Sequence, residues 1–196
     1  MGKGRLEAFS DGVIAIIITI MVLGLQTPAG TSWEQIKPLI PKFISYVLSF
    51  LYVAIYWGNH HHLLHTVKRV CASIIWANFN LLFWLSLVPF ATTWMGENHF
   101  DKITVSVYAM LLVICAIAYG ILNRAIIRSY TEKDELKNVL QTGNWKIIVS
   151  LILYASAIPI ALFIHPFISG FIFFAGTAIW IIPDKKIARA VEKEQG

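Results

Sequence analysis

Charge is scarce in this sequence: Asp, Glu, Lys and Arg make up 14% of its 196 residues, while 57% are hydrophobic. A soluble domain carries about a quarter charged residues, and its apolar positions are spread at amphipathic spacing. Here the apolar residues run together, so lipid is the solvent. Cysteine is nearly absent as well. Cys71 and Cys115 both sit in apolar segments with no ligand spacing, which excludes a disulfide framework and a cysteine-built metal site. There is no Thr-Val-Gly-Tyr-Gly filter, no arginine-rich voltage sensor, no phosphate-binding glycine loop and no Ser/His/Asp set at one depth. Those absences exclude ion selection by carbonyl rings of the conventional kind, and they leave no catalytic residues and no cofactor to assign.

What is present is a series of long apolar segments. A bilayer core of ~30 Å needs ~20 helical residues at ~1.5 Å each. Spans are predicted at about 6–25, 41–61, 70–94, 103–122, 147–164 and 167–182, the last two forming a hairpin broken at His165-Pro166. The expected fold is therefore an all-α integral membrane protein, with residues 1–196 forming a single six-helix domain. Lys3 and Arg5 before an apolar run imitate a secretory signal, but Glu7 and Asp11 stand where such a signal excludes acids, so the segment is read as retained. Leu6 occupies the position where myristoylation needs Ser or Thr.

Net charge is +5 with a pI near 9.3, yet the basic residues lie between the apolar runs and do not interleave with aromatics, so no nucleic-acid partner is implied. With the N-terminus inside, Lys3, Arg5, Lys68, Arg69, Arg124, Arg128, Lys133, Lys137, Lys146, Lys185, Lys186, Arg189 and Lys193 fall on the cytoplasmic side. Only Lys37, Lys42 and Lys102 fall outside. This asymmetry predicts that both termini are cytoplasmic. The connection from Asn123 to Lys146, with Leu136, Val139 and Leu140 at helical spacing, predicts a short interfacial helix. Trp33, Trp57, Trp94, Trp145 and Trp180 lie near span ends, at headgroup level.

Asp11 is the only acid inside a predicted span, and an unpaired charge there costs at least a few kcal/mol. Hydrogen bonding within the chain would fix the packing of the first helix. At ~100° per residue, Ile16, Ile20 and Leu23 form one stripe with Thr19 at its edge, and Asp11 points ~140° away from Ile16. The second helix ends in Trp57, Asn59, His60, His61, His62 and His65. Three consecutive histidines fan around a helix and cannot meet on one metal, so packing or proton sensing is the expected role. The third helix carries Trp76, Asn78 and Asn80 near its start, and its Pro89-Phe90 predicts a kink, as does Pro159 in the fifth.

Arg5-x-x-x-Phe9-Ser10-Asp11, followed by Gly12-Val13-Ile14-Ala15-Ile16, Thr19 and Leu23, resembles the first-helix signature of the lysosomal potassium channels of the transmembrane-protein-175 type. Trp57 with His60 to His62, and Asn80 with Pro89-Phe90 and Thr92, resemble that family's second and third helices. The resemblance covers the first half of the chain with specific residues, and the second half mainly in its number of spans. It implies a homotetramer in which the first helices line a central pore, Ile16 forms the constriction, and Ile20, Leu23 and Thr19 also face the pore. It further implies a structural network of Arg5, Phe9, Ser10, Asp11, Trp57, His61, His62 and Asn80. The function implied is a weakly selective channel for K+ and other monovalent cations, multi-pass in the cell (plasma or inner) membrane, with membrane lipids as its surroundings and no enzymatic activity. A proton-coupled secondary transporter using Asp11 and His60–His62 is the competing expectation.

Overall fold

The computed structural model describes residues 2–130, 140–141 and 143–181. Every regular element among them is helical: α1 (Lys3–Leu23), α2 (Trp33–Ile36), a 3-10 turn (Lys37–Leu39), α3 (Ile40–His65), α4 (Ala72–Leu85), α5 (Val88–Glu97), α6 (Lys102–Arg128), α7 (Asn144–Phe163) and α8 (Pro166–Ala178). Among the described residues, five stretches are long and apolar enough to cross a bilayer: Lys3–Leu23, Trp33–His65, Ala72–Glu97, Lys102–Arg128 and Asn144–Phe163. Pro166–Ala178 is a shorter apolar sixth. Residue 182 at the end of the last predicted span, Leu136 and Val139 of the predicted interfacial helix, and Lys133, Lys137, Lys185, Lys186, Arg189 and Lys193 lie outside the described residues.

Helix ends follow local chemistry. Ser32 and Gln35 form a reciprocal capping box on α2, which runs through the 3-10 turn into α3. Asp101 caps α6 by accepting from the Ile103 amide at 2.8 Å. The predicted kink at Pro89 is a break: α4 stops at Leu85, and α5 starts at Val88 with Pro89 in its first turn, where no amide donor is needed. Pro159 does not divide α7, which is continuous from Asn144 to Phe163. His99 and Phe100 both have positive φ (52° and 60°) in the tight turn before α6. The buried Phe100 ring holds that turn down, 5.9 Å from Phe167.

Contacts fix the topology. Lys3 reaches the His65 carbonyl and Asp11 meets Trp57, so α1 and α3 are antiparallel. Ser10 meets Asn78, and Gly24 lies against Thr93, so α1 and the α4–α5 pair run the same way. Ser49–Tyr108 and Tyr56–Cys115 contacts set α3 parallel to α6. Asn123–Asn144 and Ala157–Ser169 contacts make α6–α7 and α7–α8 antiparallel. The chain therefore passes up and down six times. Of the described basic residues, Lys3, Arg5, Lys68, Arg69, Arg124, Arg128 and Lys146 gather at one end of the bundle, with Lys37, Lys42 and Lys102 at the other.

The core is centred on α6, whose Val105, Ala109, Leu112, Cys115, Leu122 and Ile126 are completely enclosed. Beside it, Thr92 donates to Ser49 Oγ (2.7 Å), which shares a 2.8 Å bond with the Tyr108 hydroxyl. With no water in a bilayer core, such hydroxyls must find one another. Close approach of α5 to α3 depends on Gly96, and that of α8 to α7 on Gly176 against the Tyr154 ring. At the far end Lys42 pairs with Glu97 at 3.2 Å, tying α3 to α5.

Candidate functional site

The first helix has two faces of different character. Leu6, Ser10, Ile14, Ile17 and Met21 recur every three or four residues and are buried against α3, α4 and α5. On the other side Ile16, Ile20 and Leu23 are 59%, 50% and 76% exposed, and Thr19 is exposed beside them. A Cβ at Gly12 would meet nothing, so this side is open along its length. Thr19 donates its hydroxyl proton to the Ala15 carbonyl at 2.9 Å, leaving the oxygen lone pairs facing outward.

The buried face is fixed by a directed chain of hydrogen bonds. Ser10 Oγ donates to the Leu6 carbonyl at 2.9 Å, so its oxygen is free to accept from Asn78 Nδ2, also at 2.9 Å. That amide orientation leaves Asn78 Oδ1 as an acceptor, 2.7 Å from His60 Nε2. His60 must then carry its proton on Nε2. All three side chains are buried. One turn away, the Trp57 indole donates to Asp11 Oδ1 at 2.7 Å, supplying the acid with a partner at the edge of the packed region.

The predicted network residues are distributed around this chain. Asp11 and Trp57 are bonded to each other, Ser10 lies at the centre, and Phe9 packs edge-on to Phe79 with ring centroids 5.5 Å apart. The His61 ring lies tilted against Trp57 (centroids 5.7 Å apart) and meets His65 edge-on (4.5 Å). Arg5, His62 and Asn80 make no side-chain hydrogen bond to a described residue, and Arg5 and His62 are exposed. The amide and imidazole inside the buried chain are Asn78 and His60, which the sequence offered beside Asn80 and His61–His62 without a signal to choose between them. No group of three metal-ligating side chains converges among the described residues.

Comparisons with known proteins place the chain in a family. A potassium channel of Chryseobacterium sp. (strain P1-3) is 49% identical over 193 residues, covering 98% of this chain and 100% of its own. The chain belongs to the TMEM175 family. The family described as endosomal/lysosomal potassium channel TMEM175 matches over residues 5–89, which span α1 through the start of α5. A potassium channel of Streptomyces collinus is 34% identical over 125 residues, 60% of this chain and 61% of that one. The crystal structure of a TMEM175 homologue from Chamaesiphon minutus superposes with a TM-score of 0.62 at 25% identity, over 89% of this chain and 97% of that one. The TMEM175 family is an ion-channel family and not an enzyme family, and it uses no cofactor. The protein is accordingly a multi-pass, all-helical membrane protein.

Proposed function

We propose that the protein is a potassium-permeable, weakly selective cation channel, assembled as a homotetramer around a pore lined by α1. The observation that carries this reading is the pair of faces on α1: one clamped by the Ser10–Asn78–His60 chain, the other a stripe of Ile16, Ile20 and Leu23 left bare by the single chain. Potassium channels of Chryseobacterium and Streptomyces among the relatives supply the ion. Residues 1–196 act as one six-span unit in the plasma or inner membrane, with both termini in the cytoplasm, as the crowding of basic residues at one end of the bundle supports.

Four Ile16 side chains facing an axis form a ring too apolar to stay wet when narrow, and conduction stops by dewetting. Outward movement of α1 admits a partly hydrated cation. One turn further along, Thr19 offers hydroxyl lone pairs, a weak field that favours potassium modestly. Asp11 stays out of the pore because Trp57 holds it toward α3, and His60 is likewise engaged by Asn78. These bonds occupy Asp11 and His60, two of the groups that a proton-coupled transporter would have to release on every cycle. In liposomes loaded for potassium flux, Ile16→Asn should raise dissipative flux about tenfold or more, the equivalent of about 1.4 kcal/mol off the barrier. Equal flux from a folded Ile16→Asn protein would remove the constriction from this position. Flux that saturates and follows a proton gradient would favour the transporter instead.

A further inference from the structure

The exposed stripe of α1, Ile16, Thr19, Ile20 and Leu23, carries no charge, and Asp11 is turned away onto Trp57. A preference for cations then needs fixed charge at a mouth of the pore, where acids serve cation pathways and bases serve anion pathways. The end of α1 beyond Leu23 does have a fixed charge beside it, and the charge is positive. Lys42 of α3 donates to Gln26 Oε1 at 3.0 Å. Gln26 lies three residues beyond Leu23, at most ~11 Å of chain. The ammonium is thereby tied to the exit of α1, with its side chain 18% exposed.

The same ammonium reaches Glu97 Oε1 at 3.2 Å. Close packing holds the three groups together. A Cβ on Gly24 would stand 2.9 Å from Thr93 Oγ1, so the end of α1 rests on α5, and Glu97 follows Thr93 by one turn on the same face. On its other side α5 lies against α3 at Gly96, where a Cβ would stand 2.8 Å from the Lys42 Cα. Of the other acids at this end, Asp101 caps α6 and Glu34 sits in the first turn of α2. An ion pair this open to solvent contributes little stability. What it changes is the local charge. The Glu97 side chain is 42% exposed, more than its partner, so an ion arriving from solution meets the carboxylate before the ammonium.

We infer that Glu97 sets the ion preference of this pore mouth by cancelling the Lys42 ammonium held against the end of α1. The assignment rests on the channel reading above. In a ring of subunits, each Lys42 is balanced by a Glu97 and the entrance stays open to cations. With the carboxylates removed, a ring of ammonium groups stands at the entrance and depletes cations from it. Glu97 touches no pore-facing residue of the stripe and acts through Lys42, so it is a positioning residue for charge at the mouth.

The test is single-channel conductance of the full chain in planar bilayers at two salt concentrations. Glu97→Gln should lower K+ conductance about threefold or more in ~10 mM KCl, where charges act over ~30 Å. In ~1 M KCl, where they act over ~3 Å, it should conduct like the wild type. Adding Lys42→Gln to Glu97→Gln should restore the low-salt conductance, because no net charge is left at the mouth. Equal conductance of wild type and Glu97→Gln at low salt would overturn the assignment while the channel reading stands. A fall that persists at high salt, or that the double variant fails to recover, would overturn it as well, since the glutamate would then act through packing. Wild-type protein that carries no current in either salt would overturn the channel reading and this assignment with it.

Discussion

Asn78 of α4 donates to Ser10 of α1 across 2.9 Å, at a point where both side chains are wholly buried. The same amide accepts from His60, so one residue joins three helices. Replacing it with leucine keeps the volume and strands two partners, the Ser10 hydroxyl as an acceptor and the His60 N–H as a donor. Each orphaned buried group costs about 1–3 kcal/mol, so Asn78→Leu should destabilise the fold by about 2 kcal/mol or more. Ser10→Ala removes a single group and should cost about 1 kcal/mol. Thermal unfolding in detergent micelles reads both, and equal melting temperatures for the two variants would dissolve the three-helix junction.

A second expectation separates the charge of Asp11 from its packing. Trp57→Phe keeps a ring in place but removes the indole N–H, leaving the acid without its 2.7 Å donor. Asp11→Asn keeps an acceptor oxygen for that donor and gives up the charge. Stability should fall by about 1.5–3 kcal/mol in Trp57→Phe and by clearly less in Asp11→Asn. The reverse order in a denaturation series would mean that Asp11 answers to some other partner.

How much of this was legible depended on whether periodicity could choose. Asp11 pointing away from Ile16 follows from five residues of helical rotation, and the structure puts the acid on Trp57 with Ile16 exposed. Asn78 and Asn80 are ~200° apart on one helix, and nothing local says which faces α1. The same holds for His60, His61 and His62, one residue apart. Only packing shows that His60 turns inward, where it is completely enclosed. Pro89 predicted only a kink, and the structure has a full break there, with Leu85 ending one helix and Pro89 in the first turn of the next, a position that suits proline. Pro159 looks identical in sequence, yet it sits on the exposed side of α7, where losing one donor to the Ala155 carbonyl leaves the helix continuous.

Gly96 predicts a steric result. A Cβ there would stand 2.8 Å from the Lys42 Cα and also collide with Ser45 Oγ, so α5 would have to move off α3. Gly96→Ala should cost about 1–3 kcal/mol by overpacking. At Gly58, also in a helix, a Cβ meets nothing within 4 Å. Gly58→Ala should be neutral or stabilising by up to about 1 kcal/mol, since glycine is the poorer helix former. Side-by-side melting curves decide the point, and a Gly58→Ala loss as large as that of Gly96→Ala would refute the packing argument.

The last expectation distinguishes two apolar surfaces that exposure alone cannot tell apart. Ile16 on α1 and Ile152 on α7 are 59% and 63% exposed, and what sets Ile16 apart is the clamped face on the opposite side of its helix. If α1 lines a fourfold axis, copies of residue 16 approach one another at the constriction, whereas residue 152 on an outer helix has no counterpart within reach. In a Cys71→Ser background, which removes the half-exposed native thiol, Ile16→Cys should cross-link between subunits on mild oxidation. Ile152→Cys should remain monomeric on a denaturing gel. Cross-linking through position 152 and not through 16 would place α7 at the subunit contacts and move the pore away from the first helix.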